Sequence, residues 1–389
     1  MSSRPRVAII GTRGYGVVYS GFETWVRELC DGLKHKYEFH VYTHSYLVSE
    51  KPSVLNGVHM HYFTAIETKF LAQYSHTTQA TLHAISKSYD IYLYASTANG
   101  IFGPLLKAFG KRTAINVDGL DWLRPKWKGL GGKVFYKSAK LATKTFDVLI
   151  ADAVAISDYY AREFKADSIP IAYGAHVYDG KLGATALPSA LVENEYYLCV
   201  GRLIPDNHLV EIIEGFRRSG SRKKLVIVGD LPYKDLYVNA LKTKADERVV
   251  FTGYVKDQTA LRALYFGCFG YVHGHAFGGT NPSLLKALAY GCCVMAHNNA
   301  FNREVLNNEK HGIYFDHNPD TISVAFQRLE NDNGLVQQLK LSSRDRIRDA
   351  YTWDRINAQY DALFQRMLNE PKWKLNATTF GAHAVSKPS

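Results

Sequence analysis

The chain has 389 residues, 46% of them apolar and 21% charged, a balance that excludes a disordered or fibrous protein and suits two domains of ordinary size. Lys and Arg exceed Asp and Glu by a net +11, and the isoelectric point is near 9.2, so an anionic partner such as a nucleotide, a polyprenyl diphosphate or a lipid surface is expected. No apolar run reaches the length of about 20 residues needed to cross a bilayer, and the five cysteines (Cys30, Cys199, Cys268, Cys292 and Cys293) form no C-x-x-C pair. They read as buried thiols of a reducing compartment, not as a disulfide framework or a zinc site.

Short β-branched and aromatic runs come first: Val7–Ile10, Phe39–Thr43, Val58–Phe63, Ile91–Tyr94, Ala114–Val117 and Val148–Ala151. Phe22, Trp25, Val26, Leu29, Cys30 and Leu33 recur at i, i+3, i+4 and predict an amphipathic helix after the first run. Strand alternating with helix predicts a mostly parallel sheet covered on both faces. A stretch rich in Gly and Ala, from about Tyr173 to Glu195, separates this half from a second series. That series comprises Tyr196–Val200, Leu225–Val228, Val249–Thr252, Phe269–Val272, Cys293–Ala296 and Ile313–Phe315. Trp353, Ile356, Tyr360, Leu363 and Phe364 return to helical spacing, and from about Asn376 the chain becomes a Thr/Ala/Ser/Pro tail. The expected divisions are 1–175, 176–350, a helix within 351–375 that returns to the first domain, and a tail at 376–389.

Gly11-Thr12-Arg13-Gly14-Tyr15-Gly16 follows the first strand, where glycines let backbone amides approach a ligand beside a helix start. A dinucleotide fingerprint would need its third glycine at the helix start and an acid ending the second strand. Here Gly21 is too far away and the second strand ends in Thr43-His44, which argues against a dehydrogenase.

The strongest local signal is His273-Gly274-His275-Ala276-Phe277-Gly278-Gly279-Thr280-Asn281-Pro282-Ser283. Asn281 is a good N-cap and Pro282 a good first helical residue, so the run predicts a glycine-rich turn opening a helix, a cradle for a diphosphate. His273 and His275 have no Cys, Asp or Glu companion in the run, so no metal pair is read from them. Val200-Gly201-Arg202-Leu203-Ile204-Pro205-Asp206-Asn207 follows the first strand of the second half, and an Arg there either grips phosphate through its fork of donors or is a solvated surface residue.

At these residues the sequence resembles retaining GT-B glycosyltransferases, and most of all bacterial rhamnosyltransferases of capsule, O-antigen and group-polysaccharide assembly. The matching stretches are Ile9–Gly14 with Gly21–Thr24, Asn116–Trp122, Val200–Asn207, Val226–Tyr233, Phe251–Asp257, His273–Ala289 and Phe301–Val305. The implied fold is α/β, GT-B, with two doubly wound Rossmann-like domains facing an interdomain cleft. The implied reaction moves a hexose or deoxyhexose, L-rhamnose above all, from a nucleotide diphosphate sugar to a lipid-linked saccharide with retention. No cofactor or metal is called for, because positioning and stabilisation of the leaving diphosphate carry such chemistry. The resemblance places Arg202, Gly278, Gly279, Thr280 and Asn281 on the diphosphate and Tyr254 and Val255 on the base. Gly14, Tyr15, Gly16 and Asp118 fall near the sugar and acceptor, and His275 joins Asp118 and Arg202 as a catalytic candidate.

Two positions depart from the family pattern. Asn207 stands where a Lys is common, and Lys286 stands where a Glu usually holds the ribose hydroxyls; a Lys can only donate. Lys286 either replaces the missing cation at the diphosphate, snorkels to solvent, or marks an inactive nucleotide-binding relative.

Nine basic residues lie between Lys111 and Lys144 against only Asp118 and Asp121, interleaved with Trp122, Trp127, Leu130, Phe135 and Tyr136. Lysines with aromatics at helical spacing suit an anionic membrane surface, at about 1 kcal/mol per basic residue. Trp127, Lys133, Lys137 and Lys140 are the expected membrane-facing side chains. No nucleic-acid-binding motif accompanies the charge, so nucleic acid is not expected as a partner. The expected location is the cytosolic face of the cell membrane, as a peripheral protein.

Overall fold

Parallel pairing dominates the protein, as β-branched runs buried on both faces require. The computed structural model describes residues 4–17, 20–66, 68, 71–124, 127, 129–180, 187–188, 191–230 and 236–372. The Thr/Ala/Ser/Pro tail expected from Asn376 and the residues 231–233 of one family-like stretch lie outside the described residues. The chain divides into two units, Met1–Tyr173 with Trp353–Ser389 and Gly174–Thr352.

The first unit contains the strands β1 (Arg6–Ile10), β2 (Glu38–His44), β3 (Val54–Leu55), β4 (Val58–Phe63), β5 (Ile91–Ala95), β6 (Thr113–Asn116), β7 (Val148–Ala151) and β8 (Ile169–Pro170). They form one sheet in the order β3-β4-β2-β1-β5-β6-β7-β8, parallel throughout except for the β3–β4 hairpin. The chain starts at the centre, moves outward in one direction and then returns to fill the other side, which is the doubly wound pattern.

Helix Gly21–Leu33 connects β1 to β2 and buries Trp25, Val26, Leu29, Cys30 and Leu33. Its start is fixed by Ser20, whose side chain accepts from the Phe22 amide. Helix Trp353–Asn369 belongs to this unit despite its late position in the chain. Its apolar stripe of Trp353, Ile356, Tyr360, Leu363 and Phe364 is buried, with the Tyr360 ring 5.8 Å from Trp25 and Phe364 edge-on to Tyr37 at 5.2 Å. Polar ties complete the seam: Tyr37 Oη donates to Asp361 Oδ1 at 2.7 Å, and Asn357 Nδ2 donates to the Glu28 carbonyl at 3.1 Å.

The second unit holds β9 (Tyr196–Val200), β10 (Lys224–Val228), β11 (Val249–Gly253), β12 (Gly270–His273), β13 (Val294–His297) and β14 (Ile313–Phe315). They pair in the order β11-β10-β9-β12-β13-β14, all parallel. Helices Leu209–Ser219 and Pro319–Asn331 pack together on one face, with Phe216 5.3 Å from Phe326 and both rings near Tyr197. Their approach is close because Gly215 has no side chain: a Cβ there would lie 2.6 Å from the Ile322 Cβ. All five cysteines are free and buried.

Candidate functional site

Six parallel strands place six loops on one edge of the second sheet, so the order of strands is the order of loops. From one side to the other come Tyr254–Val255 after β11, Gly229 after β10, Gly201–Arg202 after β9, Gly274–His275 after β12, Asn298 after β13 and His317 after β14. Arg202 and His275 therefore sit on adjacent central strands although 73 positions apart in sequence.

A short chain of hydrogen bonds locks these two loops. His275 Nδ1 and Asn207 Oδ1 are 2.7 Å apart, and Asn207 Nδ2 donates to the Arg202 carbonyl at 2.7 Å. The amide oxygen can only accept, so Nδ1 carries a proton, and in the neutral ring Nε2 is then the acceptor. That Nε2 is 3.5 Å from the point where a Gly278 Cβ would stand, which directs the ring at the glycine turn. The Ala276 amide donates to the Asp206 carbonyl at 3.0 Å, while Asn299 and Asn302 side chains donate to the His275 carbonyl at 3.0 and 3.3 Å. Gly274 lets this crossing happen, since any Cβ there would collide with the Asn207 carbonyl.

Helix Pro282–Ala289 begins as the sequence predicts. Asn281 is its N-cap and accepts from the Ser283 amide at 2.9 Å and from Ser283 Oγ at 2.8 Å. Gly279 and Thr280 are buried, Gly278 and Asn281 are partly exposed, and Arg202 and Tyr254 are exposed, with Val255 half-buried beside Tyr254. Lys286 is half-buried, with Nζ 5.7 Å from the centre of the Tyr265 ring. This is cation–π distance, and Tyr265 in turn stacks on Tyr290 at 4.9 Å. His273 is buried, and burial holds its imidazole well below the ordinary range, so it is neutral.

In the first unit the glycine-rich loop is built differently from expectation. Gly14 has φ +124°, and a Cβ there would run into the Thr43 side chain, so packing against β2 requires this glycine. Gly16 also takes positive φ, at +80°. Tyr15 is the correction: its ring is buried and its hydroxyl donates to Asp31 Oδ1 at 2.9 Å and accepts from Asn56 at 3.3 Å. Burial pushes its pKa up to about 12. The side chain anchors the loop. Sequence reading also passed over Glu23, which is buried and accepts from the Arg13 amide at 2.9 Å and from Ser20 Oγ at 2.6 Å, tying the loop to the helix start.

Asp118 lies just after β6. Its amide donates to Asn116 Oδ1 at 3.0 Å, and Tyr173 Oη donates to its Oδ2 at 3.2 Å. Burial raises its pKa, and Asp121 adds to the rise, while hydrogen bonds with Asp152 and Tyr173 and the charge of Arg124 lower it. A carboxyl group that holds its proton above the usual range can donate as well as accept.

The basic stretch forms helix Leu130–Thr145, which buries Gly132, Ser138, Ala139 and Ala142. Lys133, Lys137, Lys140 and Lys144 are exposed, as are Leu130 and Val134 among them. Trp127 is only partly exposed, its ring 4.9 Å from Phe135, so it is packed on the helix more than it is presented outward. Lys126 and Lys128 lie outside the described residues. None of the described helices is long and apolar enough to cross a membrane.

Solved structures share this architecture over nearly the whole chain. Sucrose-phosphate synthase from Thermosynechococcus elongatus is 16% identical with a TM-score of 0.74, over 94% of this chain and 99% of that one. Anabaena HepE in complex with UDP-glucose is 13% identical with a TM-score of 0.74, over 93% and 100%. The lipopolysaccharide outer core galactosyltransferase WaaB is 15% identical with a TM-score of 0.65, over 94% and 100%. No curated protein matches in sequence. The fold is thus GT-B, the class of two-unit glycosyltransferases. Residues 189–346, most of the second unit, match the family described as glycosyl transferases group 1. Residues 4–176 match a domain of unknown function, DUF1972.

The raised pKa of Asp118 has a consequence for stability. The folded protein keeps this proton at pH values where the unfolded chain, at about 3.9, has lost it. Its contribution to stability is therefore full at acid pH and declines as pH rises towards the raised value. In Asp118→Asn that decline disappears, so urea midpoints of variant and parent diverge in the variant's favour as pH rises from the acid side. Parallel midpoints across that range would contradict the enclosed carboxyl.

Proposed function

We propose that the protein transfers a hexose or deoxyhexose, with L-rhamnose favoured by the resemblance of its motifs, from a nucleotide diphosphate sugar to a lipid-linked saccharide with retention. The observation that carries the reading is the locked pair of loops at Arg202–Asn207 and His275–Asn281, ending in a capped helix start inside a group 1 domain. HepE, of the same fold, binds UDP and UDP-glucose, which supports a nucleotide-sugar donor.

Chemically, the acceptor oxygen bonds to the anomeric carbon as the bond from that carbon to the phosphate oxygen breaks. The electron pair stays on the departing diphosphate, which takes the hydroxyl proton. No protein nucleophile and no metal is needed if charge on the leaving group is met at once. Arg202 supplies a guanidinium fork, and the amides of Gly279 and Thr280 with the start of helix Pro282–Ala289 supply a partial positive charge. His275, held in one tautomer by Asn207, presents Nε2 as an acceptor for a sugar hydroxyl. Tyr254 and Val255, on the edge-strand loop, contact the base, and Asp118 serves the acceptor side. Membrane residence follows from the lysine face of helix Leu130–Thr145, which meets an anionic surface where a lipid-linked acceptor is found.

A second reading, a nucleotide-binding protein without turnover, is favoured by one observation: Lys286 occupies the position of the usual ribose-holding carboxylate, and its ammonium lies over Tyr265.

Three measurements test these points. Arg202→Ala weakens nucleotide diphosphate binding by roughly 10- to 100-fold in calorimetry, as for loss of a charge-assisted hydrogen bond; an unchanged affinity in a folded variant sinks the phosphate assignment. Lys286→Glu strengthens donor binding and raises turnover if the lysine merely lost the ribose contact. Weaker binding that recovers as salt is raised makes Lys286 a diphosphate cation instead. Reversing Lys133, Lys137 and Lys140 to Glu releases the protein from anionic vesicles at low salt; sedimentation equal to the parent reduces the helix to a solvated face.

A further inference from the structure

Away from the glycine turn, the same edge of the second sheet carries a group of metal-ligating side chains. His208 follows the Asn207 turn, Glu211 lies one helical turn further on in Leu209–Ser219, and His317 stands two residues beyond β14. One ligand atom from each of the three falls within 4.8 Å of the others. His208 Nδ1 is 3.8 Å from Glu211 Oε2, and His317 Nε2 is 3.7 Å from Glu211 Oε1. The two imidazole rings are 3.6 Å apart between centres, and the His297 ring backs them at 5.4 and 5.9 Å.

Ligands about 2.1 Å from a tetrahedral ion lie about 3.4 Å from one another. The present separations, none above 4.8 Å, therefore close with side-chain shifts of at most about 1.4 Å. Glu211 and His208 are partly exposed and His317 is exposed, which leaves the outer side open for water. The His317 loop is itself held, since Thr321 Oγ1 donates to the carbonyls of Asp316 at 3.0 Å and Asn318 at 2.9 Å.

We infer that His208, Glu211 and His317 bind a divalent transition metal, with Zn²⁺ the natural occupant of a two-imidazole, one-carboxylate set and water completing its shell. The metal would clamp the first turn of helix Leu209–Ser219 to the loop after β14, one residue from Asn207. It stands apart from the sugar-transfer chemistry proposed above and does not depend on it.

The first sheet contains a similar triad, Glu38, His40 and His59. There Glu38 Oε1 already accepts from Arg6 Nε at 3.2 Å and pairs with His40 Nε2 at 2.8 Å, so a guanidinium occupies the carboxylate that a metal would need. That group serves as an internal control.

The test uses the full chain without a polyhistidine tag, titrated with Zn²⁺ in competition with a chromogenic chelator. The parent takes up one equivalent, and His317→Ala and Glu211→Gln each weaken that uptake at least tenfold, whereas His59→Ala leaves it unchanged. Co²⁺ substitution adds visible d–d absorption to the parent and not to His317→Ala. His317 is exposed and Glu211→Gln is isosteric, so circular dichroism matching the parent keeps the comparison fair. Absence of uptake by the parent, uptake retained in both site variants, or uptake lost in His59→Ala overturns the assignment.

Discussion

A parallel sheet delivers every strand to the same edge, and nearly everything about this protein's chemistry follows from that constraint. In the second unit six strands end side by side, so residues far apart in sequence become neighbours without long loops. The Asn207–His275 bond is the direct product: it joins the loops of β9 and β12, which are neighbours in the sheet. Because Asn207 also holds the Arg202 carbonyl, one amide side chain fixes the backbone beneath the guanidinium and the tautomer of the imidazole.

The strands were legible because buried parallel strands are written as uninterrupted β-branched and aromatic runs. Where that signature is short it disappears: β3 is two residues and β8 contains a proline, and neither is visible as a run. Local chemistry was equally readable, as Asn281-Pro282 shows by starting its helix where an N-cap and a first-turn proline dictate. Tyr15 shows the opposite case. Its neighbours suggested a ligand loop, but its ring is claimed by Asp31 and Asn56, a partnership set by tertiary packing that no local pattern encodes. Glu23 was missed for the same reason, since its carboxylate serves an amide ten residues earlier. The pairing of His208 and Glu211 with His317, across 106 positions, could be seen only once strand order was known.

Electrostatics in the second unit are arranged by withholding protons as much as by placing charges. Burial holds the imidazoles of His208 and His273 below their ordinary range, which favours their neutral forms. Lys286 is held at the face of an aromatic stack, an environment that tolerates an ammonium group but would not favour a carboxylate in its place. Replacing that lysine therefore changes two things at once, the local charge and the packing of Tyr265.

The first unit is made from two separated stretches of chain, and its closing piece is synthesised only after the whole of the second unit. Until helix Trp353–Asn369 leaves the ribosome, the faces of Trp25 and Tyr37 that it covers stay wet. During translation the second unit, with its continuous stretch of chain, is able to finish before the first, reversing the usual order of birth. Nascent chains stalled before residue 353 would thus carry a sticky aromatic seam, a natural foothold for chaperones.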